Sequence, residues 1–475
     1  MKSTKSRTYH KTNKPLIYIE PSSKRIKYTT IVEAIADAIN AGRLRPGDQL
    51  PSQRRLATEL GVALGTVSRA YSAAKQMNLI SGHIGQGTFV SRVQPANLMV
   101  RAEEEDHRSG IIDLRINRPP TEGALEEVRN ALTRIAKEPK LSRFLEHQPS
   151  AGMFEHRATG AEWVREGSVE VLPENVVICS GVQQALAAAF GALSRPGDLL
   201  VTEELAHPGI RLISNLYGLR VGGLPIDRDG LIPEGLAEQC AIEPPKFLIC
   251  TPSIHNPTCA VLPERRRQEI AELARQFDII IVENDIFGPM LRERAPAITS
   301  MAPERSLYIT GTTKCVAAGI RVSYLIAPSG SVRELATAVQ ATTWMTQPIF
   351  VEIVSNWIRD GTLARIAESQ RGEAFARQQL AADILKDFSY IGHDSSHQIW
   401  VDLPAPWRMG EFMRQLQRRG VWVLSAEEFV VGRGVIPLAV RVCLGGHFTR
   451  EEVAEGLRRL TKLIKEGPRL EEVES

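Results

Sequence analysis

Residues 311–324 read "GTTKCVAAGIRVSY", and they join two apolar runs, "SLYITG" (306–311) and "VSYLIAP" (322–328). Both runs are short, uncharged and rich in β-branched and aromatic residues, the pattern of strands buried on both faces. A lysine placed between them is costly to bury unless its amine has a partner or a task. Upstream the same kind of run recurs four times, as "NVVICSG", "DLLVTEE", "PKFLICTPS" and "DIIIVEND". Amphipathic helical stretches separate these runs, which specifies an α/β fold around a parallel or mixed sheet. Polar motifs cluster just past the strand ends, where such sheets hold their ligands.

At 475 residues the chain is long enough for two or three domains. Its 43% hydrophobic and 24% charged content is that of a globular protein. No apolar run approaches the roughly 18 to 20 residues of a membrane span. The start, "MKSTKSRTYHKTNKP", lacks the apolar centre of a signal peptide. Six cysteines, at 179, 240, 250, 259, 315 and 443, show no CxxC spacing. They read as reduced core residues of a cytoplasmic protein, with no metal site and no disulfide framework.

The net charge of +3 divides unevenly. Residues 1–92 carry fifteen Lys/Arg against five Asp/Glu, a net of +10, while the remainder carries 43 against 50, a net of −7. A basic head on an acidic body predicts a polyanionic partner for the head. Residues 1–21 form a basic arm, and residues 22–92 show three helical stretches. The first begins at Thr29 or Thr30 as N-cap, places Ile31, Ile35, Ala38 and Ile39 on one face and stops at Gly42. The second, "PSQRRLATELG", has Ser52 as N-cap and Gly61 as its stop; the third, "GTVSRAYSAAKQMN", follows after a three-residue turn. Two short helices joined by a glycine-bearing turn form a helix-turn-helix, and "LISGHIGQGTFVS" adds two short strands as a wing.

This stretch resembles the GntR family of winged helix-turn-helix regulators through "GRLRPGDQLPSQRRLATELGV", "GTVSRAY" and "GQGTFV". The resemblance implies a double-stranded DNA operator as partner. It assigns Arg54 to phosphate, Thr66, Ser68 and Arg69 to the major groove, and Gly85 and Gln86 to the wing. Leu64 stands where the family usually has an arginine.

Residues 93–110 lose periodicity, carry an acidic run and read as a linker; residues 111–475 form the body. Its strand ends, read in order, give a set of ligand-binding groups. Ser180, Gly181 and Val182 open a helix and offer an anion site for a phosphate. His207 can stack on a flat ring, and Asn256 sits in the proline-fixed "HNPT" turn. Asn284 and Asp285 follow the fourth run, then come Thr313, Lys314 and Arg321, and finally Arg441 alone among apolar residues. Together these describe a pocket for pyridoxal 5′-phosphate (PLP). Lys314 supplies the amine that condenses with its aldehyde, Arg321 neutralises the phosphate, and Arg441 clamps the carboxylate of an incoming amino acid.

The body also resembles fold-type I aminotransferases across residues 111–465, through "HNPT" and the Lys314 motif with its downstream Arg321 and "SY". Among the body's seven lysines, only Lys314 matches the Schiff-base position. A GntR head joined to an aminotransferase-like body is similar to the MocR family of transcriptional regulators. That resemblance implies a homodimer that senses an amino acid, an amine or PLP itself. The chain departs from the aminotransferase pattern at four positions: Asn284 replaces the aspartate under the ring nitrogen, Phe287 a tyrosine, Gly311 a phosphate-binding Ser or Thr, and Ala318 a proline. Either Asp285 serves the nitrogen in place of Asn284, or the site binds cofactor without efficient turnover. The second suits a sensor and is the expectation here. The rival readings are a working aminotransferase with a DNA-binding head, and a regulator whose body dimerises without cofactor.

Overall fold

A computed structural model of the protein describes residues 28–40, 44, 48–76, 79–83, 87–90, 110–167, 169–432 and 436–468. The chain divides into two compact units between Asn97 and Leu98. In the first, α1 (Tyr28–Asn40), α2 (Gln53–Leu60) and α3 (Leu64–Gln76) precede the antiparallel pair β1 (Ile80–His83) and β2 (Gly87–Val90). The chain is already helical at Tyr28, so Thr29 and Thr30 lie inside the first turn instead of capping it. Gly42 lies outside the described residues. Ile31, Ile35 and Ala38 of α1 meet Leu56 of α2 and Val67, Ala70, Tyr71 and Ala74 of α3 in one buried cluster.

Both expected ends of α2 form. Ser52 accepts a hydrogen bond from the Arg55 amide at 3.3 Å, and Gly61 takes the left-handed conformation (φ 64°) that a side chain would disfavour. The Tyr71 hydroxyl donates to the Pro51 carbonyl at 2.7 Å, which ties α3 to the start of α2. Burial pushes that phenol's pKa up.

The second unit is built on a seven-stranded sheet. In chain order its strands are β4 (Val176–Cys179), β5 (Leu199–Glu203), β6 (Arg220–Leu224), β9 (Phe247–Cys250), β10 (Ile280–Asn284), β11 (Ser306–Gly311) and β12 (Ser323–Ile326), with a small β7–β8 hairpin (Ile226–Asp227, Gly230–Leu231) between β6 and β9. Their spatial order is β4-β12-β11-β10-β9-β5-β6, and β12 alone runs antiparallel to its neighbours. Alternate residues face opposite layers: Val177 and Cys179 pack with helices 182–193 and 332–343, while Val176 and Ile178 join the core on the other face. All six cysteines are buried and unpaired as disulfides.

The C-terminal part carries a smaller antiparallel sheet, β13 (Tyr390–Ile391), β14 (Gln398–Asp402), β17 (Ala439–Cys443) and β16 (Leu424–Ser425). Beside it β15 (Val421–Trp422) pairs in parallel with β3 (Ile112–Asp113), so the start of this unit closes against its end. The 24-residue helix Thr362–Leu385 and helix Arg450–Glu466 cover this sheet, the latter entered through a Thr449/Glu452 capping box.

Candidate cofactor and effector site

In the head, Arg54 at the start of α2 and Arg69 on α3 are exposed, and Thr66 is half-buried. Ser68 differs from expectation. Its hydroxyl donates to Gln53 Oε1 at 2.7 Å and is spent on the contact between α2 and α3. Gly85 and Gln86 lie outside the described residues.

In the body, β11 ends at Gly311, where β12 leaves no room for a side chain. A Cβ on Gly311 would lie 2.8 Å from Ser323 Cα, with the Val322 carbonyl nearer still. The connection that follows is pinned by Thr312 N–H to the Val322 carbonyl (3.1 Å) and Val316 N–H to the Thr312 carbonyl (2.9 Å). It presents Lys314 in a partly buried position. The Lys314 amine donates to the Asn117 carbonyl and lies 5.2 Å from the centre of the Phe287 ring. Burial first, then the Arg441 guanidinium and more weakly Arg321, push its pKa down to about 7. The amine is thus readily available uncharged.

The Arg321 charge that acts on Lys314 belongs to a second group of polar residues. Helix Val182–Leu193 begins at Gly181 (φ 88°) with no side-chain cap among the described residues, and its Gln184 amide donates to the Gly181 carbonyl at 3.1 Å. Arg321, itself left-handed (φ 55°), lays its guanidinium over Gly181 and donates to the Ser180 carbonyl at 3.2 Å. Only glycine leaves space for that approach. The Ser180 hydroxyl donates to Gln347 Oε1 at 3.2 Å, and Thr313 Oγ1 is buried with no hydrogen-bond partner among the described residues.

His207 opens helix Pro208–Leu216, and its Nδ1 accepts from the Gly209 amide at 3.1 Å. Its proton therefore resides on Nε2. Burial, Arg441 and Lys314 together lower its pKa to about 3, so the ring is neutral. Asn284 ends β10 with Oδ1 buried and unpartnered among the described residues. Asp285 is corrected by the structure. Its Oδ2 accepts from the Tyr308 hydroxyl at 2.6 Å and its Oδ1 from Ser253, so both carboxylate oxygens are engaged elsewhere. Strand alternation explains the difference: Asp285 lies with Glu283 on one side of β10, and Asn284 on the other.

Arg441, at the centre of β17, is 1% exposed. Its Nη1 donates to Asn256 Oδ1 at 2.9 Å and its Nη2 to the Arg115 carbonyl, and its guanidinium lies 4.8 Å from the Phe429 ring centre. Its Nε has no partner among the described residues. A buried guanidinium with one edge held and one donor spare can take an anionic oxygen.

Comparisons with known proteins match both units of the chain. Residues 109–460 match the family described as "Aminotransferase class I and II", and residues 27–90 match "Bacterial regulatory proteins, gntR family". The chain belongs to the aminotransferase class I and II family. It is also 25% identical over 446 residues to the uncharacterized HTH-type transcriptional regulator YdeF of Bacillus subtilis, covering 94% of this chain and 96% of that one. It is 26% identical over 363 residues to the HTH-type pyridoxine biosynthesis transcriptional regulator PdxR of Corynebacterium glutamicum, covering 76% and 79%. Among solved structures, Pyrococcus horikoshii kynurenine aminotransferase, in complex with PMP, superposes with a TM-score of 0.72 at 23% identity, over 79% of this chain and 95% of that one. A GntR head on an aminotransferase class I and II body is the MocR-type architecture.

Some residues of this aminotransferase-family site gave no signal in the sequence. Asn117 holds the Lys314 amine through a backbone carbonyl, which no side-chain pattern announces. Phe429 lies against Arg441 from a segment with no motif. His397 is 1% exposed, with both ring nitrogens unpartnered among the described residues, and burial, then Lys314, lowers its pKa to about 3.

Proposed function

We propose that this chain is a cytoplasmic transcriptional regulator that binds an operator in double-stranded DNA as a homodimer and holds PLP at Lys314 to sense an amine or amino acid. The observation that carries it is the Lys314 amine, brought to a pKa of about 7 beside an uncapped helix start covered by Arg321. In this reading residues 1–21 are a basic arm, 22–92 the DNA-binding domain, 93–110 the linker and 111–475 the effector-binding domain.

The residues present fit the cofactor. The amides at Gly181 and Val182, with Ser180, Arg321 and the Thr313 hydroxyl, unpartnered among the described residues, would hold its phosphate. His207, neutral and oriented by the Gly209 amide, would lie against its ring. Asn284 would face the ring nitrogen with an amide where a carboxylate is needed to keep that nitrogen protonated. When bound, PLP supplies an aldehyde that exchanges between amines, and a protonated ring is what makes it an electron sink for transamination. Without a carboxylate, exchange of amines is favoured over turnover. Lys314 would be displaced by the effector's amine, while Arg441, fixed by Asn256, would take the effector's carboxylate. The resulting change in the pocket would bias the presentation of paired heads to operator half-sites, by as much as the effector's affinity differs between the two states.

The test is the near-visible absorption spectrum of purified protein with added PLP, followed by borohydride reduction and peptide mass mapping. Added mass on Lys314, absent in Lys314→Ala, is the expected result. A featureless spectrum and no added mass would overturn the cofactor reading. Assays with amino donors and a keto acid separate sensing from turnover, with little or no turnover expected.

A further inference from the structure

The recognition end of the head carries a feature that DNA binding in general does not explain. Leu64, the first residue of α3, is 44% exposed, and Tyr28 is the only other large apolar residue exposed among the described residues of the head. Its neighbours Ala63 and Gly65 are also exposed, and a Cβ built on Gly65 would meet nothing within 4 Å. One turn further along, Ser68 is half-buried with its hydroxyl engaged by Gln53. The leading end of α3 therefore presents an apolar tip, and Arg54 and Arg69 of the head are exposed as well.

Resting on the proposed DNA binding, we propose that Leu64 reads a thymine methyl group in the major groove. The edges of the base pairs there consist of hydrogen-bond donors and acceptors, with the thymine 5-methyl as the one apolar feature. Leucine offers no hydrogen-bonding group, so it gains only from that methyl. Against a guanine oxygen or a cytosine amine it would bury a polar group without a partner. Leu64 thus favours thymine and disfavours cytosine or guanine at the base pair beneath it. An arginine at this position would prefer guanine.

The experiment selects operators from random duplexes with the full-length protein at fixed salt, then replaces each thymine of the half-site singly by uracil, which removes only the methyl. The expected result is one thymine per half-site at which uracil weakens wild-type binding by roughly fourfold, the factor for losing burial of about one methylene-sized group. Leu64→Ala should lose most of the preference for thymine over uracil there, and Leu64→Arg should select guanine at that step. Both variants should fold, since the side chain is exposed, and circular dichroism melts would show this. Tight operator binding with a flat uracil scan, or equal uracil sensitivity in Leu64→Ala, would overturn the assignment of Leu64 alone. Failure to enrich any duplex would overturn the DNA-binding reading with it.

Discussion

In the proposed reading Lys314 is the residue on which the body's chemistry turns, and its protonation can be tested. Its pKa is lowered from 10.5 to about 7 in the folded chain. Between those values the unfolded chain binds a proton that the folded chain does not, so this group makes stability rise with pH from about 7 and level off near 10.5. Below pH 7 the folded protein must hold an ammonium beside Arg441. Lys314→Met should therefore stabilise the cofactor-free protein at pH 6 by about 1–2 kcal/mol, with the gain shrinking between pH 7 and 10 in thermal melts. The same pKa predicts that the rate of PLP attachment climbs through pH 7 and is nearly flat by pH 9, as stopped-flow absorbance would follow. Asn284→Asp would restore a carboxylate opposite the ring nitrogen, and measurable transaminase turnover should appear, more so with Phe287→Tyr. If the double variant stays as inert as wild type in a coupled keto-acid assay, residue 284 is not what limits turnover.

At the scale of the element, the β11–β12 pair shows how the backbone constrains the site. Gly311 was legible as a departure from the aminotransferase pattern, yet its reason was not: the Val322 carbonyl and Ser323 occupy the space a side chain would need. Gly311→Ser, which restores the commoner residue type, should cost about 1–3 kcal/mol in denaturant unfolding through overpacking. A second element, the start of helix Val182–Leu193, was singled out as a candidate anion site by its position after an apolar strand, and the helix does begin there, at Gly181 without a side-chain cap. What that position did not reveal is that Arg321 lies against Gly181. The helix-turn-helix was legible for the same local reasons, since its caps and turn depend on neighbours in sequence. Thr29 and Thr30 were misread because a capping residue type alone does not show where helical backbone begins.

At the scale of the molecule, charge separates the two units: residues 1–92 are net +10 and the rest net −7. If the head makes about four phosphate contacts, DNA affinity should fall on the order of a hundredfold between 50 and 200 mM salt. A fluorescence-anisotropy titration at several salt concentrations reads that slope, and a flat response would argue against phosphate-dominated binding.

Periodicity and helix caps sufficed to read the winged head and the alternating α/β body, because burial patterns and caps are written in adjacent residues, and strand-end position singled out Lys314, Arg321 and Arg441 as candidates. Partners were another matter. The carbonyl that receives the Lys314 amine belongs to Asn117, 197 residues away, and the one that receives Arg441 to Arg115, 326 residues away. The choice between Asn284 and Asp285 likewise depended on Ser253 and Tyr308 claiming the aspartate. Such pairings are selected by which distant segments the folded sheet brings together, and only the tertiary structure holds that information.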